Sequence, residues 1–313
     1  LDAFEIAYGQ RALPSYDFSY ADVIVSVGAD FLGDWQGGGH DLGYVKGRVP
    51  VRDKNNKGKM SKHFQLESNM SISGANADKR IMLTPTQQKI ALAKIFGYIS
   101  GYNIGGELPE KIDLSIKQVA ESLINAGKKG IIITGIDDVN AHLLTYAIND
   151  LLRSLSYKKN ELSLIRNGND KEVLKLIKDL NNQEVKGIIM CGVNPAYTLP
   201  NSDDFISGIK KANFSVCFSM KNDETALESK WVAAVPHYFE SWGDNEMVSG
   251  NFSLTQPTIR PLFDTMQFQD CLLKWMGSDS SFYDFIKDNW ENNILNNTSW
   301  NQALHDGFFK SKE

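Results

Sequence analysis

Short β-rich apolar runs alternate with longer segments of helical spacing along most of the chain, a rhythm that argues for parallel α/β construction. The first clear strand is predicted at 22–27 (DVIVSV), and Gly28-Ala29-Asp30 follows it at once. A glycine-rich loop is predicted over 33–47, then a polar, lysine-rich stretch to Ser61. Strands are expected at 62–67 and 80–83, and helical spacing over 86–99 stops at Ser100-Gly101. The segment 102–113, with Gly105-Gly106 and Pro109, is the expected boundary, after which the rhythm restarts. Helices are predicted at 114–126, 140–154, 171–180 and 202–212. Strands are predicted at 130–134, 186–191, 214–219 and 231–235, with a weaker one at 162–165. Residues 278–313, rich in Asn and Trp, have the pattern of an amphipathic helical tail. The expectation is an α/β fold of two tandem open, mostly parallel Rossmann-like units with a helical C-terminal tail. It divides as 1–108, 109–277 and 278–313.

Composition narrows the classes. With 313 residues, 42% hydrophobic and 23% charged, the chain is ordinary for a globular protein. No apolar run approaches the roughly 20 residues a spanning helix needs, so no direct membrane span is expected. The net charge is −5. The most basic stretch, 46–62, is expected to be a solvated loop, and no nucleic-acid partner is expected. Cys191, Cys217 and Cys271 form no CxxC pair and have no histidine at ligand spacing, so no metal site is expected. Cys191 and Cys217 are expected to be buried strand residues. The chain opens in LDAFEIAYGQ, like the middle of a helix, with no initiator Met or leader. It is expected to be an internal piece of a longer polypeptide.

In open α/β sheets, ligands bind outside the carboxyl ends of the strands. Three loops qualify. The first holds Gly28, Asp30 and, in GDWQGGGHDLG, Gly38; its amides could cradle a phosphate and Asp30 a ribose or guanine edge, although no GxGxxG can be fitted. The second holds Gly135 and Asp137, where Asp137 or Asp138 capping the next helix is a sufficient account. The third holds Gly192 and Asn194, where Asn194-Pro195 forming a turn is sufficient. The histidines near acids, His40, His142 and His237, make no HExxH or triad, and no GxSxG elbow exists. No catalytic or metal residue is therefore assigned. The aromatic stretch 239–242 and the tryptophans Trp290 and Trp300 could serve as docking surfaces for other subunits, and packing inside the fold is the expected account.

Taken in order, these loops resemble the molybdopterin oxidoreductase superfamily. The residues that carry the resemblance are ADVIVSVGAD (21–30), KGIIMCGVNPAYTLPNS (186–202) and DETALESKWVAAVP (223–236), with Glu240 beyond. In that family a strand ends in a Gly–Asn/Asp step, a later one in Gly-x-Asn-Pro followed by Leu-Pro, and a Thr-Ala pair leads into a strand like ADVVLP. The runs GKMSKHFQLESNMSISGANADKR (58–80) and HYFESWGDNEMVSGNFSLTQPTIRPLFDT (237–265) resemble more narrowly the molybdopterin-like subunit of alternative complex III and its iron–sulfur-fused, variant Tat-translocated relatives. The resemblance covers most of residues 1 to about 275.

What it implies is a large subunit of a respiratory quinol-oxidising complex on the periplasmic face of a bacterial inner membrane. Its partners would be iron–sulfur, cytochrome c and quinol-binding membrane subunits. Two departures bear on the cofactor. The family's Pro-Gly-Thr-Asp step, whose Asp helps hold a pterin guanine, is here Thr84-Pro85-Thr86-Gln87, and a neutral amide cannot copy the charge assistance of a carboxylate. The family's GTxxNxEGRxQ is here Gly250-Asn251-Phe252-Ser253-Leu254-Thr255-Gln256, without Gly-Arg. The expectation is a scaffold that has lost the pterin and is not catalytic by itself. A retained site would take molybdopterin guanine dinucleotide through Gly28, Asp30, Gly38, Gly135, Asp137, Gly192 and Asn194.

Overall fold

The computed structural model describes residues 1–52 and 58–311, and the chain divides into two compact units, Leu1–Asn167 and Gly168–Glu313. The first runs α1 (Asp2–Tyr8), β1 (Leu13–Tyr16), β2 (Val23–Val27), α2 (Asp41–Arg48), β3 (Val51–Arg52), β4 (Gly58–Lys59), β5 (Lys62–Glu67), α3 (Ile72–Ala75), β6 (Lys79–Met82), α4 (Pro85–Ser100), α5 (Glu110–Ala126), β7 (Gly130–Thr134), α6 (Val139–Leu152) and β8 (Tyr157–Ser163).

Its centre is an all-parallel sheet in the order β6-β5-β2-β7. Both faces are covered, as such sheets require. Val23, Val25, Val27 and Ile132 point into a core with Leu92 and Ile95 of α4 and Val119 and Leu123 of α5. Ile24, Ile131 and Ile133 alternate to the other face, against Phe4, Phe18, Phe31 and Tyr146. This two-sided burial is why VIVSV and GIIIT are uninterrupted apolar runs. Thr84 and Gln87 form a reciprocal capping box that starts α4, and Gly101 in the left-handed region ends it.

The second unit runs α7 (Asp170–Asn181), β9 (Gly187–Cys191), α8 (Pro195–Thr198), α9 (Ser202–Lys211), β10 (Phe214–Ser219), α10 (Glu224–Glu228), β11 (Trp231–Ala234), β12 (Gly243–Val248), β13 (Asn251–Thr255), α11 (Phe268–Trp275), α12 (Phe282–Asn289), α13 (Trp300–Asp306) and β14 (Phe308–Lys310). Strands β11-β10-β9 form a parallel sheet. Helices α7 and α9 pack on one face through Ile177, Leu180, Phe205 and Ile209. Beyond it, β12, β13 and β14 pair antiparallel. Over them lie α12, a π-helical turn (Trp290–Ile294) and α13, closing a core around Trp290 and Trp300.

The protein is thus α/β with parallel sheets, as read, but antiparallel pairing is also present. The expected strand 162–165 is β8, which begins at Tyr157 and pairs antiparallel with β1. The hairpin β12–β13 was not foreseen, and the tail adds a strand, β14, to its helices. The expected boundary 102–113 connects α4 and α5, which share one core, while the division between units falls at Asn167–Gly168. Half of the expected loop 33–47 is the helix α2. The basic loop expected over 46–62 begins inside α2 and ends in β5, and its residues 53–57 lie outside the described residues. Cys217 is buried as expected, but Cys191, at the very end of its edge strand, is exposed.

Candidate functional site

The carboxyl ends of β2, β5 and β7 form the crest of the first sheet. Gly28, leaving β2 at φ 71°, donates its N–H to Leu66 O at 2.8 Å. Gly135, leaving β7, donates to Val27 O at 2.9 Å. The two glycines touch: a Cβ on Gly135 would strike Gly28 O and lie 2.8 Å from Ala29 Cα. On Gly28 a Cβ would lie 2.7 Å from Gln88 Oε1. Lacking side chains, they let two stretches of backbone meet each other, and their open faces are spent on protein.

Asp30 is similarly engaged. Its Oδ1 accepts from Ser73 N at 2.8 Å and Ser73 Oγ at 2.7 Å, tying the crest loop to α3. Its Oδ2 faces Gly33, where a Cβ would come within 2.7 Å. Gly38 takes a positive φ of 77° in the turn that closes this loop. Asp137 is exposed, while the cap of α6 is Asp138, which accepts from Asn140 N and Ala141 N and pairs with Lys89 at 2.6 Å. The structure thus brings Gly28, Asp30 and Gly135 together and leaves Asp137 at the rim. A guanine or ribose edge needs an acceptor with free lone pairs; at Asp30 Oδ1 is committed to Ser73, and only Oδ2, over Gly33, is left to accept.

Beneath the crest lies a buried polar row that sequence reasoning missed. His63, Gln65 and Glu67 occupy alternate positions of β5 and are all buried. Gln65 Nε2 donates to Ala29 O and to Glu67 Oε2, each at 3.1 Å, so its Oε1 accepts from His63 Nε2 at 3.1 Å. That leaves His63 Nδ1 as an acceptor facing the Tyr44 hydroxyl at 3.2 Å, whose one proton it shares with Asn76 O, also at 3.2 Å. Glu67 further accepts from Ser71 Oγ and Arg80 Nε, both at 2.6 Å, and from Ser71 N. Burial would push the Glu67 carboxyl up, but these bonds more than offset it and hold it below its usual range. The only hint in the sequence is the alternation KHFQLE, which ordinarily marks a solvent-facing polar edge.

Burial pushes the His63 imidazole down to about 4. The unfolded chain, with an ordinary histidine near 6.5, then binds the extra proton between those values, so stability is complete above about pH 6.5 and falls as the pH drops towards 4. The loss expected from His63 is about 3 kcal/mol. His40 and His142, also lowered by burial, add to the same slope. Denaturant titrations across that range should show it, and His63→Gln should remove most of it. An unchanged slope in the variant would refute this.

The crest of the second sheet is more open. Gly192 leaves β9 at φ 64°, and nothing lies within 4 Å of where its Cβ would be. Asn194 Oδ1 accepts from Thr225 Oγ1 at 2.7 Å and Thr225 N at 3.2 Å, while its Nδ2 donates to Glu224 Oε2 at 2.7 Å. Asn194 therefore couples the loop after β9 to the start of α10 and is largely used by the fold. Beside it opens a cavity of about 390 Å³ lined by Gly192, Asn194, Ser219, Lys221, Asp223 and Tyr238 among others. His237 and Glu240 form a cap: Glu240 Oε2 accepts from His237 N, and His237 Nδ1 from Phe239 N. Among the described residues no cluster of His, Cys, Asp and Glu could hold a metal ion.

No family model matches the chain. It is 32% identical over 115 residues to the menaquinone reductase, molybdopterin-binding-like subunit of Nitratidesulfovibrio vulgaris, a match covering 33% of this chain and 16% of that protein. Among solved structures, acetylene hydratase from Pelobacter acetylenicus shares the fold at a TM-score of 0.62 and 10% identity, over 99% of this chain and 55% of the other. A formyltransferase/hydrolase complex from Methylorubrum extorquens aligns at a TM-score of 0.49 and 10% identity, over 84% and 78%. The chain therefore spans about half or less of the first two proteins. The partial sequence match gives a distant relation to a molybdopterin-binding-like subunit over a third of the chain, and the solved structures show the shared fold alone.

Proposed function

We propose that this chain is part of a molybdopterin-oxidoreductase-type subunit of a respiratory quinone-linked electron-transfer complex, of the alternative complex III kind, in which it serves as a scaffold that no longer holds a pterin. The observation that carries the reading is the state of the first crest. Asp30 commits one of its carboxylate oxygens to Ser73, Gly28 and Gly135 pack against protein, and the position where the superfamily carries a guanine-holding Asp is Gln87, whose side chain caps Thr84 N at 3.0 Å. The similarity to a menaquinone reductase subunit supports the quinone-linked setting. Iron–sulfur, cytochrome c and quinol-binding membrane subunits at the periplasmic face of a bacterial inner membrane would be its neighbours.

A second reading, a working molybdenum enzyme, draws on the cavity at the second crest, where Gly192 is open and Lys221 lines the wall. There Gly192, Asn194 and Lys221 would hold the phosphates of a molybdopterin guanine dinucleotide, and the group when bound would supply the redox chemistry. Metal analysis for molybdenum and tungsten, with fluorescence of oxidised pterin, on the purified full-length protein decides between them. Neither metal nor pterin in stoichiometric amount is expected, and finding both would overturn the scaffold reading.

A further inference from the structure

A run of aromatic rings crosses the first unit, from the loop after β2 to the surface beside α1. Between ring centres, Trp35 lies 5.2 Å from Tyr16, and Tyr16 lies 5.8 Å from Tyr157. Tyr157 in turn lies 5.8 Å from Tyr146, which lies 6.0 Å from Tyr8. These spacings put each ring in contact with the next. Packing accounts for the rings, but it does not call for the relay of hydroxyls at one end. There the Tyr157 hydroxyl donates to the Tyr8 oxygen at 3.3 Å, and the Tyr8 hydroxyl donates to Asp150 Oδ2 at 2.8 Å. Lys159 Nζ holds the other Asp150 oxygen at 2.9 Å and fixes the carboxylate against the phenol. Tyr157 is buried, Tyr8 is half-buried and Asp150 is exposed, so the relay leads from the interior to a base in water.

These phenols do not give up a proton in the ordinary way. Burial pushes the Tyr8 and Tyr157 hydroxyls well above the usual phenol range. Removal of one electron changes that, because an oxidised phenol is a strong acid. Keeping its proton would make it a cation inside the fold, with the Lys159 ammonium already 5.3 Å from the Tyr8 ring centre. Passing the proton along the relay leaves a neutral radical instead. A vacancy moving along the rings therefore comes to rest where the proton can leave.

We propose that Tyr8 is a redox-active tyrosine, the surface terminus of an aromatic chain that carries oxidising equivalents from Trp35 to the solvent. An oxygen-derived one-electron oxidant takes an electron from Trp35, and electrons pass along the rings to refill it. In the net step the Tyr8 O–H bond breaks, its electron goes to the oxidant and its proton to Asp150. The products are a neutral tyrosyl radical and a carboxylic acid. A soluble thiolate then returns the electron, Asp150 returns the proton, and a thiyl radical departs. This chemistry does not depend on whether the protein retains a pterin.

The test oxidises the purified protein with photogenerated ruthenium(III) tris-bipyridine in the presence of a nitroso spin trap. Peptide mass spectrometry then maps the trap adducts. Exposure alone would favour Tyr20 and Tyr102, 49% and 70% exposed, over half-buried Tyr8. The chain predicts the reverse, with Tyr8 carrying the most adduct. Asp150→Asn keeps the shape and removes the charged proton acceptor. Adduct at Tyr8 should then fall by about tenfold, the ratio set by one charge-assisted hydrogen bond, with Tyr20 and Tyr102 unchanged. Trp35→Phe should lower the Tyr8 adduct as well. Should that variant fold poorly, Asp150→Asn, at an exposed position, carries the test. Adducts that rank by exposure, or a Tyr8 yield unmoved by Asp150→Asn, would overturn the proposal. A Tyr8 yield unmoved in folded Trp35→Phe would overturn the route through the rings.

Discussion

Glu67→Ala is expected to lower the stability of the first unit by about 3–5 kcal/mol, the range for removing one partner of a buried ion pair. Glu67 lies at the point where the sheet meets its crest. Its carboxylate collects the Arg80 guanidinium, the Ser71 hydroxyl and amide, and one proton of Gln65. Alanine would strand all of them at once, the Gln65 amide in the interior with no water to replace the lost acceptor. The damage should spread, because Gln65 also holds Ala29 O and Ser71 starts the short helix that presents Ser73 to Asp30. Hydrogen exchange should therefore show early opening of residues 28–33 in the variant. Glu67→Gln keeps the shape and should cost less, about 1–3 kcal/mol, since one acceptor oxygen remains. Equal losses for the two substitutions would mean that volume, not charge and hydrogen bonding, is what matters there. Gly74 provides a separate check, because any Cβ there would collide with the same carboxylate.

Trp290→Ala in the second unit is expected to cost about 3–5 kcal/mol, the range for emptying a large aromatic site. The indole is fully buried among Ile286, Leu295, Trp300 and Ala303, edge-on to Trp300 at 6.0 Å and to Phe252 of β13 at 6.2 Å. Its Nε1 donates to Asp244 Oδ2 of β12 at 2.8 Å, so one side chain ties the helical tail to the hairpin. Trp290→Phe keeps most of the apolar area and loses the bond; it should cost about 1–2 kcal/mol. Urea unfolding of the two variants separates the contributions. A loss below about 1 kcal/mol for alanine would show that this core collapses onto the gap.

What was legible in the sequence was the part of the fold whose apolar pattern is dictated by burial on both faces. The bounds 130–134 and 214–219 are those of β7 and β10, and 62–67 are those of β5, whose apolar Phe64 and Leu66 lie on one face only. The strands β8, β12 and β13 were obscure because YKKNELS, GDNEMV and NFSLT are polar or unpatterned. What makes such segments strands is an antiparallel neighbour, a tertiary fact that local propensity does not carry. Helix α2 hid behind Gly43 and Gly47, which lower helix propensity and yet are what lets this helix pack closely. At the candidate sites, positions after strands were legible but occupation was not. Asp30 and Asn194 are where ligand-binding residues of an open sheet belong, yet the structure spends one oxygen of Asp30 on Ser73 and ties Asn194 to Thr225 and Glu224. The polar row of β5 inverts the usual rule that alternation marks a wet face: the structure buries that face under the crest loop and satisfies it with hydrogen bonds.

The position of β2 in its sheet also sets a timetable for the chain as it is made. It pairs with β5 on one side and with β7 on the other, and Thr134 reaches back across 107 residues to Val27. At synthesis rates of roughly 5–20 residues per second, several seconds pass between the emergence of β5 and that of β7. Throughout that interval VIVSV presents a bare edge of high β-propensity, open to pairing with another nascent chain. Slowing elongation between residues 67 and 130 lengthens that interval and should therefore lose more of the protein to aggregates, and the vulnerable species would be chains stalled before residue 130.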